Sequence, residues 1–389
     1  MMYREVYADN AATTKMDKRV IEKISEYWEG NDGNPSSIYR RGLEAKNALE
    51  EARAKVASLI GAEPNEIYFT SGGSESDNWA INSAFSLAKG KCRIITSAIE
   101  HHAVLYPLQQ LRKRGCEIIE IPVSSEGIVD PSDVEAAINE DTKLITIMTA
   151  NNEIGTIQPI KEIAEIARKH KVTFHTDAVQ AVGHIPINVK ELGVDMLSAS
   201  AHKFNGPKGI GFLYVRKGTR IAPYIVGGAQ ENKKRAGTEN TACAIGLSEA
   251  LSIAVADMDK NTEKLVAMRD KLIKGVLDTI PYSRLNGSAE KRLPGNVNFS
   301  IEFIEGEALI LSLDFAGISA SSGSACTSGS LDPSHVLLAI GLPHAIAHGS
   351  LRLTLSHENT MEDVDYILET LPIIVKRLRD MSPLWEGKE

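Results

Sequence analysis

Short apolar runs alternate with amphipathic stretches from about residue 40 to residue 255. The runs predict strands over 66–70, 93–97, 117–121, 144–149, 172–176, 195–198 and 211–215. The amphipathic stretches predict helices over 45–59, 75–87, 103–114, 133–139, 160–170 and 241–256. Strands interleaved with helices argue for a mainly parallel sheet covered on both faces, which is an α/β fold. A long helical stretch over 259–280 then leads into a different pattern. Strand 297–301, helix 307–316, strand 351–355 and helix 361–379 read as a smaller α+β unit. The expected division is a large α/β domain over 15–258 and a small α+β domain made of 1–14 with 259–389.

Two strand ends carry the chemistry. Lys203 stands in Ser198-Ala199-Ser200-Ala201-His202-Lys203, directly after the apolar run 194–197. Asp177 stands in His175-Thr176-Asp177-Ala178-Val179-Gln180, after the run 172–176. Ligands of such sheets collect outside the carboxyl ends of the strands. A lysine and an aspartate there are what pyridoxal phosphate needs: the amine forms a Schiff base with the aldehyde, and the carboxylate keeps the pyridine nitrogen protonated. The plain alternatives are a surface lysine and a surface carboxylate. Against them, the strand before Asp177 is apolar, and a buried carboxylate requires a partner. Thr70-Ser71-Gly72-Gly73-Ser74-Glu75-Ser76 joins a strand to a helix, where free N–H groups can meet a phosphate. An ordinary turn with Ser74 as N-cap would look the same. His101 follows strand 93–97, so it can stack on a ring held at the same edge or serve as a structural histidine.

Composition narrows the class. The chain has 389 residues, 43% of them hydrophobic and 24% charged, as in a globular protein with a sizeable core. A net charge of -8 argues against nucleic acid as a partner. No apolar stretch reaches the roughly 20 residues of a membrane span, and the first residues have no apolar signal region, so no membrane partner and a cytoplasmic location are expected. Cys92, Cys116, Cys243 and Cys326 form no Cys-x-x-Cys pair, and free thiols suit a reducing compartment. Three of them lie in or beside apolar segments and read as packing residues. Cys326 does not. It lies in Ser321-Ser322-Gly323-Ser324-Ala325-Cys326-Thr327-Ser328-Gly329-Ser330, a run with little to bury that reads as a mobile loop presenting a usable thiol.

Taken together these segments resemble the cysteine desulfurases of the nitrogen-fixation and iron–sulfur-cluster type, in the fold-type I pyridoxal phosphate superfamily. The resemblance runs nearly end to end. It also includes Gly33-Asn34-Pro35-Ser36-Ser37, Glu100-His101, Asn151-Asn152-Glu153-Ile154-Gly155, Gly206-Pro207-Lys208-Gly209, Arg235-Ala236-Gly237-Thr238 and His348-Gly349-Ser350-Leu351-Arg352. The resemblance implies a mainly parallel mixed sheet flanked by helices, with Lys203 as the cofactor lysine. Asp177 would pair with the ring nitrogen, Gln180 with the ring hydroxyl, and His101 would stack on the ring. Gly73, Ser74, Ser200 and His202 would hold the phosphate. Thr238 would reach the phosphate of the partner subunit, which implies a homodimer with shared active sites. Asn152 and Arg352, with Asn34, would hold the substrate carboxylate.

The implied reaction takes sulfur from L-cysteine onto Cys326 as a persulfide and leaves L-alanine, with Lys203 moving the Cα proton and His101 shuttling another. The implied acceptor is an iron–sulfur scaffold protein, and Cys326 could ligate a transient iron–sulfur cluster, its one metal role. The segment after Cys326, through Leu331-Asp332-Pro333-Ser334-His335, resembles the group that serves such scaffolds. Two departures stand out. Ser356-His357-Glu358-Asn359-Thr360 replaces the usual arginine and aromatic, and Ala229 stands where glycine or histidine is common. The competing readings are a selenocysteine lyase, an aminotransferase, which needs no loop thiol, and a non-catalytic scaffold using Cys326 as a cluster ligand.

Overall fold

The computed structural model describes residues 4–322 and 333–385. Its strands there are β1 (Val6–Tyr7), β2 (Ile67–Thr70), β3 (Arg93–Ser97), β4 (Glu117–Ile121), β5 (Thr142–Thr146), β6 (Thr173–Asp177), β7 (Met196–Ser200), β8 (Gly211–Val215), β9 (Ser283–Leu285), β10 (Asn296–Ile301), β11 (Ile318–Ser319) and β12 (Ser350–Thr354). Seven of them form one sheet in the order β2-β8-β7-β6-β5-β3-β4. Only β8 runs against the others, pairing antiparallel with both β2 and β7. The expected mainly parallel sheet is therefore present.

Both faces of this sheet are covered, and neighbouring residues show it. Ile95, Ile145, Leu197 and Phe212 point into one apolar cluster. Ile94, Leu144, Met196 and Leu213, each one position away, point into another with Trp79, Val104 and Leu108. That is the two-residue period of a strand buried on both sides. It explains why these strands read as continuous apolar runs.

A second core gathers Val6 and Ala8 with Leu272, Phe299, Leu313, Leu353 and Ile367. Its frame is the antiparallel sheet β12-β10-β9 and the parallel pair β1–β11. The chain does not divide cleanly in sequence. Leu293 joins the core of the large sheet, and Val336, Leu337 and Ile340 pack on Ile99, Met148 and Ile154.

Several elements differ from expectation for local reasons. Helix Lys18–Gly30 lies before the stretch of alternating strands and helices, and Asp17 caps it by accepting from the Arg19 N–H. Helix Pro131–Ala137 starts two residues early because Asp130 caps it and Pro131 suits the first turn. β5 is bounded at Thr146, although the Ile147 and Thr149 N–H groups still donate to the His175 and Asp177 carbonyls of β6, and Met148 between them lines a cavity. β7 runs on to Ser200, bringing that hydroxyl to the strand end.

Candidate active site

β2, β3, β5, β6 and β7 all point their carboxyl ends to one edge, and the expected site residues converge there. A cavity of about 430 Å³ is lined by Gly73, Ser74, His101, Asn152, Asp177, Gln180, Ser200, His202, Lys203 and Arg352. Gly73 opens the helix Gly73–Leu87, so the first-turn N–H groups face this edge. The approach is close. Gly72 adopts φ +152°, and a Cβ on Gly211 would lie 2.7 Å from the Gly72 Cα. Asp177 ends β6, Ser200 ends β7, and Lys203 closes the short 3₁₀ turn Ala201–Lys203. The Lys203 carbonyl accepts from His184 Nε2 at 2.8 Å, and its Nζ donates to the carbonyls of Ala11 and Ala12 at 2.6 and 2.8 Å.

Asp177 is buried and accepts one backbone N–H, from Val179 at 2.9 Å. Burial pushes its carboxyl up to about 6; the Val179 bond and the Lys203 charge pull the other way without winning. A cation set against this carboxylate would repair the imbalance. Beside it lies Asp77, a cavity residue the sequence reading missed. Its Oδ1 is buried with no hydrogen-bond partner among the described residues, 3.6 Å from His175 Nε2. Burial and the neighbouring Asp177 hold Asp77 well above the usual carboxylate range. His175 bridges Thr146 and Ser198 at 2.8 and 2.9 Å, and burial keeps it neutral, down to about 3.

His101 is the N-cap of helix His102–Lys113, its Nδ1 accepting from the Ala103 N–H at 3.1 Å. With Nδ1 occupied as an acceptor, the neutral ring carries its proton on Nε2. Burial, then Lys203, lowers its proton affinity to about 4. Glu100 braces this turn. Its Oε1 accepts from Ser97 Oγ at 2.6 Å and from the Met148 N–H at 2.9 Å, and burial drives the carboxyl up to about 8. Asn151 builds the adjacent turn through the N–H groups of Glu153 and Ile154, which leaves Asn152 at the cavity.

The far wall comes from β12 and the start of the chain. Arg352 Nη2 pairs with Asp9 Oδ1 at 2.7 Å and Nη1 donates to the Asn152 carbonyl at 3.0 Å. Gln180 Nε2 donates to the Ala11 carbonyl at 3.0 Å, and His202 Nδ1 lies 3.1 Å from Thr13 Oγ1. Sequence reasoning missed Asp9, Ala11 and Ala12, because small residues and one acidic group near a terminus carry no periodic signal.

Two expected residues lie elsewhere in the chain. Thr238 borders a separate depression with Ser71, Arg235 and Gly237. Asn34 is exposed and caps its own turn through the Ser36 N–H. Cys326 lies outside the described residues. Cys92 and Cys116 are buried and Cys243 is half-buried, which fits their reading as packing residues.

The profile of the class-V aminotransferases matches residues 6–367. The chain belongs to this family. Class-V aminotransferases use pyridoxal phosphate, and the cavity suits it. Helix N–H groups, Ser200 and neutral His202 would suit a phosphate, Asp177 a protonated ring nitrogen, and Lys203 the aldehyde. Within the family, the chain is 56% identical over 383 residues to the cysteine desulfurase IscS of Methanosarcina thermophila, covering 98% of this chain and 94% of that one. It is 55% identical to the cysteine desulfurase IscS of Dictyoglomus turgidum, covering 98% and 97%. Among solved structures, a NifS-like protein superposes with a TM-score of 0.91 at 39% identity, covering 96% of this chain and all of that one.

Proposed function

We propose that this protein is a pyridoxal-phosphate-dependent cysteine desulfurase supplying sulfur for iron–sulfur cluster assembly. The observation that carries this reading is the convergence of Lys203, Asp177, His101 and Arg352 on one cavity. Relatives covering nearly the whole chain bear the same activity in their names. The overall change is L-cysteine plus the Cys326 thiol to L-alanine plus a Cys326 persulfide. The C–S bond breaks, an S–S bond forms, and the thiol proton ends on alanine.

When bound, the cofactor supplies an electron sink that acidifies the substrate Cα and weakens its Cβ–S bond. The chain supplies the rest. Arg352 and Asn152 orient the substrate carboxylate, so that the Cα–H faces Lys203. Lys203 Nζ takes that proton, with the Ala11 and Ala12 carbonyls as its resting place when it is not engaged. His101 holds a proton at Nε2 and passes it to the reacting carbon or sulfur. Asp177 keeps the ring nitrogen charged, and Gln180 steadies the ring hydroxyl. The Cys326 thiolate attacks the substrate sulfur and hands it on to a scaffold protein.

Thr238, on a surface depression rather than in its own cavity, supports a homodimer in which each chain completes the partner's phosphate site. Exposed Trp28, Tyr39 and Leu43 are apolar surface of the kind such an interface covers. We read the chain as two domains, 15–258 and 1–14 with 259–389, with Leu293, Val336, Leu337 and Ile340 of the second packing onto the first. No single helix among the described residues is long and apolar enough to cross a membrane. The test is incubation with L-cysteine and a dithiol reductant. Equal yields of alanine and sulfide are expected; pyruvate and ammonia would overturn the assignment in favour of β-elimination.

A further inference from the structure

Arg352 is already partly engaged inside the chain. It is 3% exposed and its Nη2 holds Asp9 Oδ1 at 2.7 Å. Nη1 donates to the Asn152 carbonyl at 3.0 Å, while Nε is buried with no hydrogen-bond partner among the described residues. Asp9 is itself fixed. It forms a bridge to Thr354, two positions beyond Arg352 on β12, and the next residue, Asn10, donates to the Thr354 carbonyl through both its backbone and its side chain. A carboxylate therefore meets the substrate-facing guanidinium from within the protein, held by backbone on both sides.

We propose that Asp9 is a positioning residue that both aims Arg352 and limits its affinity for carboxylates. The inference rests on the reading of Arg352 as the anchor of the substrate carboxylate. A buried guanidinium with no internal counter-charge would hold small anions strongly and release a carboxylate product slowly. With Asp9 in place, an incoming carboxylate finds a pair that is already neutral overall. It gains only the N–H groups left over, and it feels the repulsion of a second carboxylate across the same guanidinium. At an effective dielectric of about 20 that repulsion is worth about tenfold or more in binding. Selectivity follows: the bare charge of a small monoanion is not enough, so an amino acid must also be held through its other groups.

The test uses the holoenzyme and four variants. Asp9→Asn keeps the acceptor oxygen and removes the charge. It is expected to lower the KM for L-cysteine and the inhibition constant of acetate each about tenfold, with kcat changed less than about twofold. Asp9→Ala also loses the aim, and its KM is expected to rise. Asp9→Glu, which keeps the charge, is expected to restore parental values more closely than Asp9→Asn. Each variant must retain parental cofactor absorbance, which separates these effects from misfolding. If Asp9→Asn leaves both constants unchanged or raises them, the inference falls. Arg352→Ala keeps the two readings apart. Should it leave KM and acetate inhibition untouched, the carboxylate-anchor reading itself fails. Should it weaken both while Asp9→Asn strengthens neither, only the role given to Asp9 fails.

Discussion

Lys203 Nζ donates to the carbonyl oxygen of Ala11 at 2.6 Å, across 192 positions of chain. The Ala12 carbonyl takes a second bond at 2.8 Å. The amine is thus parked against backbone that no side-chain substitution can remove. Replacing Lys203 with Ala should abolish alanine formation, and borohydride reduction of the loaded enzyme should no longer attach cofactor to the chain. Labelling at another lysine would remove Lys203 from the mechanism.

Cys326→Ser should stop persulfide formation on the protein and sulfur delivery, while L-cysteine still perturbs the cofactor spectrum. Mass spectrometry of the alkylated protein measures the first effect and absorbance the second. Parental rates of sulfur release from this variant would mean that another nucleophile is at work.

The stability of the cofactor-free protein should carry the signature of Asp177. Its folded-state proton affinity, about 6, exceeds that of an unfolded aspartate, near 4. The associated stability is therefore fully present below about pH 4 and is lost as pH rises through about 6. Asp177→Asn escapes this loss. Its stability relative to the parent, from urea unfolding of both proteins, should climb from about pH 4 through 6, and the loss of the Asp177 charge also eases ionisation of Asp77, which adds to the climb. The buried histidines contribute with the opposite sign, but equally in both proteins. A difference that stays flat with pH would place the Asp177 carboxylate in a better solvated setting than the cavity indicates.

His101 is pushed to about 4 by burial and by Lys203. Its ring should stay neutral with the proton on Nε2 down to about pH 5 in the cofactor-free protein, as read from ¹⁵N chemical shifts. Protonation near pH 6.5 would show an open, solvated ring. Because the folded value is depressed, the stability tied to this group is present above about pH 6.5 and disappears as pH falls through about 4.

Away from the chemistry, Arg53 and Glu231 form a buried two-bond pair, Nη1 to Oε2 at 2.8 Å and Nη2 to Oε1 at 2.9 Å. Arg53→Ala leaves the carboxylate buried and unpaired, and should cost about 3–5 kcal/mol in a denaturant titration. Arg53→Met together with Glu231→Leu should cost much less, because neither charge remains.

The large sheet was legible because its inner strands are buried on both faces and carry apolar runs, as with Val194 to Leu197 and Gly211 to Val215. The cavity residues at strand ends were legible for the same reason: Asp177, Ser200 and Lys203 sit where the apolar runs stop. Asp77 stayed hidden because it lies inside a helix, one turn past Gly73, where an acidic residue reads as solvent-facing. Asp9 and the two alanines stayed hidden because their importance is a matter of long-range placement. Their partners, Arg352 and Lys203, are separated from them by nearly the whole chain and half of it. Thr238 and Asn34 were recognisable only by family likeness, since neither faces the cavity of its own chain.

The pairing of Asp9 with Arg352, 343 positions apart, sets a limit on synthesis. A nascent chain can complete the large sheet once Val215 has emerged, and could trap cofactor soon after. It cannot close the wall that receives the amino acid until β12 leaves the ribosome. Growing chains that acquire colour early should therefore stay idle toward cysteine until β12 has emerged.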